Sequence, residues 1–133
     1  MMTNEIAKTA FVPQLIIAHG TMNLEFYKNA FGAVETKNIT NEDGSIHVSE
    51  MLIEGAMFHF HEESWDGSTF HPLSHQGVTT IIGLMVADMD QVMNRALKAG
   101  AQEISPAESY DYGYRQGKIL DPLGHLWLIE MVI

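Results

Sequence analysis

The sequence predicts an α+β fold of two βαβββ modules, whose mixed sheets form a half-barrel trough with the helices outside. Three observations predict it. A helical stretch ending in AFGAVE (Ala30 to Glu35) reappears as KAGAQE (Lys98 to Glu103), so the chain carries an internal repeat. Each copy is followed by hairpin-like strands, EGAMFHFHE in the first and DPLGHLWLIEM in the second. Between them, Glu63 to Gly77 is rich in turn formers and has no steady period, which marks a connector. The predicted organisation is one domain over 11–133, with module one at 11–62, the connector at 63–77 and module two at 78–133.

Phe11 to Ala18 is apolar and β-leaning, and Pro13 confines that end to a sheet edge or a strand start. Thr21 to Phe31 is predicted as a helix. Met22, Phe26 and Ala30, with Leu24, Tyr27 and Phe31, fall at spacings of three and four, and Gly32 stands where a left-handed cap belongs. Val34 to Thr40 reads as an exposed strand and Asn41 to Gly44 as a turn. Ile46 to Ile53 and Ala56 to His61 alternate on either side of Glu54-Gly55, the pattern of a tight hairpin. Module two repeats the order. It has a strand from Val78 to Val86, a helix from an Asp88 cap through Ala99 to Gly100, and a short strand from Ala101 to Ile104. A loop from Ser105 to Gly113 leads to a hairpin of Tyr114 to Leu120 with His125 to Val132, turned at Asp121 to Gly124.

Composition narrows the function. The chain has 133 residues, enough to bury roughly two-thirds of the unfolded surface. Seventeen acidic against seven basic residues give a formal charge of −10, which repels phosphate backbones and anionic lipid, so neither nucleic acid nor membrane is an expected partner. No cysteine is present, which removes disulfides, thiolate nucleophiles and sulfur-bound metals and fits a reducing cytoplasm. The start, MMTNEIAKTAF, lacks the apolar run of a signal peptide, and a cytoplasmic protein is expected. There is no GxGxxG, GxxxxGK[ST] or GxSxG, so dinucleotide, P-loop and α/β-hydrolase chemistry has no motif here.

Strand counting assembles a polar constellation. A two-residue turn at Glu54-Gly55 sets Ile53 opposite Ala56, Glu50 opposite His59 and Val48 opposite His61. Glu50, His59 and His61 then share the trough face, while Met51, Ile53, Phe58 and Phe60 form the side buried under a helix. Glu50 and His59 serve either as a catalytic acid–base pair, the carboxylate orienting the imidazole, or as a cross-strand ion pair. His59, His61 and Glu50 also form a candidate two-histidine, one-carboxylate metal set, or simply bind solvent and ligand. In the last hairpin a four-residue turn places Arg115 opposite Glu130, on the face of Leu126 and Leu128. Arg115 is either a clamp for a carboxylate or phosphonate or half of a bridge to Glu130. Tyr110, Tyr112 and Tyr114, with Trp65 and Phe70, are candidates for an aromatic rim, Tyr112 as a substrate contact. Trp127 is assigned to the core, His125 to structural hydrogen bonding, and His71 and His75 to solvent.

The β-α-β-β-β duplication, EFYKNAFGA (Glu25 to Ala33) and YGYRQGKILDPLGHLWLIE (Tyr112 to Glu130) resemble the vicinal oxygen chelate superfamily of glyoxalase, bleomycin-resistance and dioxygenase proteins. FYKNAFGA with DPLGHLW looks most like its PhnB-like branch. The resemblance implies a glyoxalase/bleomycin-resistance-like fold, a small-molecule ligand and a homodimer. Metal-using members place one ligand on the first and one on the last strand of each module, positions that fall here on Val12, His59, Ile81 and Leu128, with Gln14 beside Val12 on the same face. Only His59 among the four can bind a metal, so no cofactor is favoured, although a divalent metal at the His59, His61 and Glu50 set stays open. Three readings follow: a protein binding a small polar or anionic molecule at Glu50, His59, His61, Gln14, Tyr112, Arg115 and Glu130 without the usual metal quartet; a metal-dependent lyase, isomerase or dioxygenase; and a drug-sequestering protein.

Overall fold

A computed structural model of the chain describes residues 9–133; the expectation drawn from the first eight residues lies outside them. Module one runs β1 (Gln14–Ile17), α1 (Glu25–Phe31), β2 (Val34–Thr40), β3 (Ile46–Ile53) and β4 (Ala56–Glu62). Module two runs β5 (Ile81–Met85), α2 (Met89–Ala99), β6 (Gln102–Ser109), β7 (Tyr114–Leu120) and β8 (Leu126–Val132). The sheets have the same order, β1-β4-β3-β2 and β5-β8-β7-β6, each with one parallel pair at the first strand and antiparallel pairs elsewhere. The α+β fold of two βαβββ modules with mixed sheets and outer helices is therefore the one the repeat predicts.

The helices end alike. Gly32 and Gly100 take left-handed φ values of 66° and 118°, a conformation that costs glycine least, and each donates its N–H back to the last helical turn. Asp88 caps α2 by accepting from the Gln91 N–H. The first helix starts at Glu25 rather than Thr21, because Thr21 is held in a turn by Ala18 and its carbonyl accepts the Ile46 N–H. The loop expected at Ser105 to Gly113 is in part a strand: β6 continues to Ser109 as a sheet edge, broken in register between Glu103 and Glu108 around Pro106. The connector holds a short 3₁₀ turn, Pro72–Ser74.

One core lies under both helices. Tyr27 and Phe31 of α1 meet Phe58 and Phe60 of β4 and Trp127 of β8, with Tyr27 to Phe60 and Phe31 to Trp127 ring centroids at 4.6 and 4.7 Å. Arg95 of α2 donates to the Asn29 carbonyl of α1 at 3.0 Å, tying the helices together. At the centre is buried Asp121. Its side chain accepts from the Tyr27 hydroxyl at 2.6 Å, from Trp127 Nε1 at 2.9 Å and from the Leu123 and His125 N–H groups. Burial, reinforced by Asp121, pushes the Tyr27 hydroxyl well above its ordinary pKa, so it remains a donor. The turn after β7 thus bonds directly to the helix of the other module.

Candidate functional site

The β3–β4 hairpin turns on Glu54 and Gly55, both at positive φ (47° and 86°), as a two-residue primed turn requires. Its register pairs Ile53 with Ala56, Glu50 with His59 and Val48 with His61, as strand counting predicts, and β1 adds Gln14 beside His59 and Ile16 beside His61. Because alternate residues share a face, Gln14, His59 and Glu50 form one row on the side away from the core, where Met51, Phe58 and Phe60 are buried. His59 Nε2 lies 3.4 Å from Glu50 Oε1. It makes no hydrogen bond among the described residues although the atom itself is buried. Glu50 is held otherwise: Thr36 Oγ1 donates to it at 2.7 Å and Lys37 Nζ lies at 3.9 Å. The Thr36 bond, then the Lys37 and His59 charges, hold its carboxyl below the usual range.

Module two departs from the expected register. Asp121 N–H bonds to the His125 carbonyl, leaving a three-residue loop that closes through Gly124 at φ 93°, not the four-residue turn counted from sequence. Leu120 therefore pairs with Leu126, and every later pair shifts by one: Gln116, not Arg115, faces Glu130, and Arg115 faces Met131. A one-residue slip reverses the faces of a strand. Arg115 leaves the trough and makes a two-pronged bond to Asp90 of α2 at 2.9 and 3.0 Å, so it neither clamps a trough ligand nor bridges Glu130. In its place Gln116 Nε2 donates to Glu130 Oε1 at 2.8 Å, and the Tyr112 hydroxyl donates to Gln116 Oε1. The same register sets Leu128 between Lys118 and Gly83, and a Cβ on Gly83 would stand 3.3 Å from Glu130 Oε2.

Of the predicted rim, Tyr110 and Tyr112 stack at 5.3 Å, while Trp65 is exposed and stacks on His19 at 3.5 Å. Phe70 stacks on His75 and lines a cavity of about 270 Å³ with Gln14, Ile16, Thr79, Ile82 and His125, under the connector and between β1 and β5. His125 Nε2 donates to the Ile16 carbonyl at 2.9 Å, the structural bonding expected of it. Burial depresses its imidazole. His71, expected in solvent, instead donates from Nδ1 to Glu63 at 2.8 Å.

A cluster that the sequence reading did not single out stands at the end of β4. Glu62 is nearly buried and accepts from His19 Nδ1 at 2.7 Å, His47 Nδ1 at 2.8 Å and Asn41 Nδ2 at 3.1 Å. The hydrogen bonds from His19 and then His47 bring its carboxyl down to about 2. One more step of the same strand count, from Val48 opposite His61 to His47 opposite Glu62, would have found half of it.

A family-type metal quartet does not fit these residues. Val12 precedes β1, and the strand partners at this level are Gln14 with His59 and Gly83 with Leu128. Whether counted from Val12 and Ile81 or from Gln14 and Gly83, fewer than three good nitrogen or oxygen donors are offered. The displaced set does not converge either: among the described residues no three His, Asp or Glu side chains gather as a metal-holding group.

With this geometry in place, comparison identifies the class. The family model of the Glyoxalase/Bleomycin resistance protein/Dioxygenase superfamily matches residues 11–129. The chain belongs to that superfamily, as its resemblance implied. It is 31% identical over 121 residues to uncharacterized proteins of Mycobacterium bovis and Mycobacterium tuberculosis, covering 89% of this chain and 80% and 71% of those relatives. Among solved structures it is similar to a gene product from Arabidopsis thaliana (24% identity, TM-score 0.66, 92% of this chain and 98% of that one). TioX from Micromonospora is similar in fold at 19% identity and TM-score 0.69, over 94% of this chain and 97% of that one. The fosfomycin resistance protein FosX from Mesorhizobium loti shares the fold at 13% identity and TM-score 0.65, over 95% and 93%. Among the described residues no helix is long and apolar enough to cross a membrane.

Proposed function

We propose that the chain is a PhnB-like small-molecule-binding protein, and that its ligand lies on the trough face against Gln14, Glu50, His59 and His61 of module one and Tyr112, Gln116 and Glu130 of module two. The observation that carries this is His59, whose side chain is one-third exposed on the trough wall while its Nε2, 3.4 Å from Glu50 Oε1, makes no hydrogen bond among the described residues. An unmet buried polar atom costs about 1–3 kcal/mol, which a ligand hydrogen bond there would recover. Glu50 Oε1 beside it orients the imidazole toward donor or acceptor groups on the ligand. With Arg115 turned to α2, an anionic ligand loses its planar clamp; the register leaves Lys118 and Lys37 on this face, and Lys37 is already beside the Glu50 carboxylate, so a neutral polar ligand is the better match. The PhnB-like assignment is supported by FYKNAFGA and DPLGHLW, and a cytoplasmic setting by the cysteine-free sequence.

A second copy completes the site in this reading. Ile81 and Met85 are about half exposed on the module-two face, an apolar strip that a facing sheet would cover. The test is a thermal-shift screen of small amides, polyols, carboxylates and phosphonates, followed by calorimetry of any hit with light scattering of the protein alone. A hit is expected to weaken at least tenfold in His59→Ala and to keep its affinity in Arg115→Ala, with a dimer in solution. A hit indifferent to His59 and lost with Arg115 would place the ligand elsewhere and end this reading.

A further inference from the structure

His47 and His61 stand at the open end of β3 and β4 with their ring centroids 5.0 Å apart. Each ring is anchored through Nδ1, and both anchors belong to Glu62. His47 Nδ1 donates to the Glu62 carboxylate at 2.8 Å, and His61 Nδ1 donates to the Glu62 backbone carbonyl at 2.6 Å. An ionised carboxylate and a carbonyl can only accept, so the proton of each neutral ring sits on Nδ1. Both Nε2 atoms then carry a free lone pair. Neither makes a hydrogen bond among the described residues, and neither is a buried unpaired atom, so both are open to solvent.

This is the outer-shell arrangement of metal-binding histidines, in which the second ring nitrogen donates to a carboxylate or carbonyl that fixes tautomer and orientation. The spacing agrees. With a metal–nitrogen distance of about 2.1 Å and a near-tetrahedral angle, two imidazoles on one ion have centroids roughly 5 Å apart. We propose that His47 and His61 hold a nitrogen-preferring divalent ion of the zinc, nickel or copper type through their Nε2 atoms, clamping β3 to β4, with Glu62 as the shared outer-shell acceptor. The pair offers two protein donors rather than the three or four of a family-type site, so it binds more weakly than such a site and water fills the remaining positions. The site lies apart from the family quartet positions; it shares His61, but neither His59 nor Glu50, with the trough wall, and it does not depend on the trough holding a ligand.

The test is calorimetric titration of untagged protein with Zn²⁺ and Ni²⁺, with nitrogen NMR of the imidazoles and metal-free melting curves to show that each variant is folded. One equivalent is expected to bind, with the His47 and His61 Nε2 resonances moving. Affinity is expected to fall at least tenfold in His47→Ala and in His61→Ala, and about tenfold in Glu62→Gln, in which an outer-shell acceptor is altered. His59→Ala, which strikes the trough reading, is expected to leave metal binding unchanged. Absence of binding, binding unaffected in folded His47→Ala, or binding lost in His59→Ala would each overturn the proposal.

Discussion

Gln14, His59 and Glu50 in module one occupy the same register positions as Gly83, Leu128 and Lys118 in module two, and the next row sets Ile16, His61 and Val48 against Met85, Glu130 and Gln116. On the helix side the equivalents are alike in kind: Phe58 and Phe60 match Trp127 and Ile129, all buried. The difference separates two pressures on one repeat. Residues under the helices must fill a shared core at close packing, so both copies keep large apolar groups. Residues on the free face carry no such demand, and the copies have diverged into a histidine-bearing wall and a glutamate–glutamine wall. Gly83 stands where Gln14 stands in the first wall, and its missing side chain leaves room for the Glu130 carboxylate, whose Oε2 would be 3.3 Å from a Cβ there.

The strongest way to break the comparison is to remove what joins the copies. Asp121→Ala leaves the Tyr27 hydroxyl and Trp127 Nε1 buried without an acceptor and frees two backbone N–H groups, at about 1–3 kcal/mol for each group left unmet. A loss of about 3–5 kcal/mol is expected in urea unfolding, against about 1 kcal/mol for Tyr27→Phe, which deletes a single bond. If Asp121→Ala lost less than about 1 kcal/mol, the Asp121 bonds would not be what holds the modules together.

The two hairpins also show how far a sequence can be read. Glu54-Gly55 is short and bounded by strict alternation, so its turn length follows from the pattern and the whole register of His59 and Glu50 with it. DPLG has a second solution: Asp121 and His125 form the last pair and Gly124 absorbs the turn in a left-handed conformation. Both solutions keep apolar residues in alternation, and only the Asp121 side chain, bonded to Tyr27 some ninety residues away along the chain, selects one. That is a tertiary contact, invisible to strand counting. The first half of edge strand β6 is legible at Ala101 to Ile104, but its continuation to Ser109 is not, because a proline at 106 suits a loop as well as the sheet edge that tolerates it. His19 joins Glu62 only through the fold, whereas His47 was within reach of the hairpin count.

A smaller effect separates module one from module two by pH. Glu62 has no carboxylate counterpart; Met131 stands at its position in β8. Its carboxyl titrates near 2 in the folded chain against an ordinary 4.5. The unfolded chain therefore binds this proton first on acidification, so the stability contributed by Glu62 is complete above about pH 4.5 and is lost as pH falls toward 2. Glu62→Gln is expected to cost about 1 kcal/mol at neutral pH, and the gap from the parent protein is expected to close over that acid window. Urea midpoints measured from pH 7 to pH 2.5 check it; a gap that stays constant with pH would mean that the charge of Glu62 contributes nothing.

The smallest effect is expected at Arg115, and its size decides which face the residue serves. Its bond to Asp90 is two-pronged and well aligned, and the Arg115 bond is the main reason that the Asp90 carboxyl sits below its usual range. Asp90 is about half exposed and Arg115 about a third, so solvent screens the pair, which contributes about 0.2–1 kcal/mol and is weakened by salt. Arg115→Ala should therefore lower stability by no more than about 1 kcal/mol, and Asp90→Ala should lower it by a similar amount, with little further loss in the double variant. A cycle in which Arg115 couples to Glu130 instead of Asp90 would restore the four-residue turn, return Arg115 to the trough and give module two the anion clamp that its present register withholds.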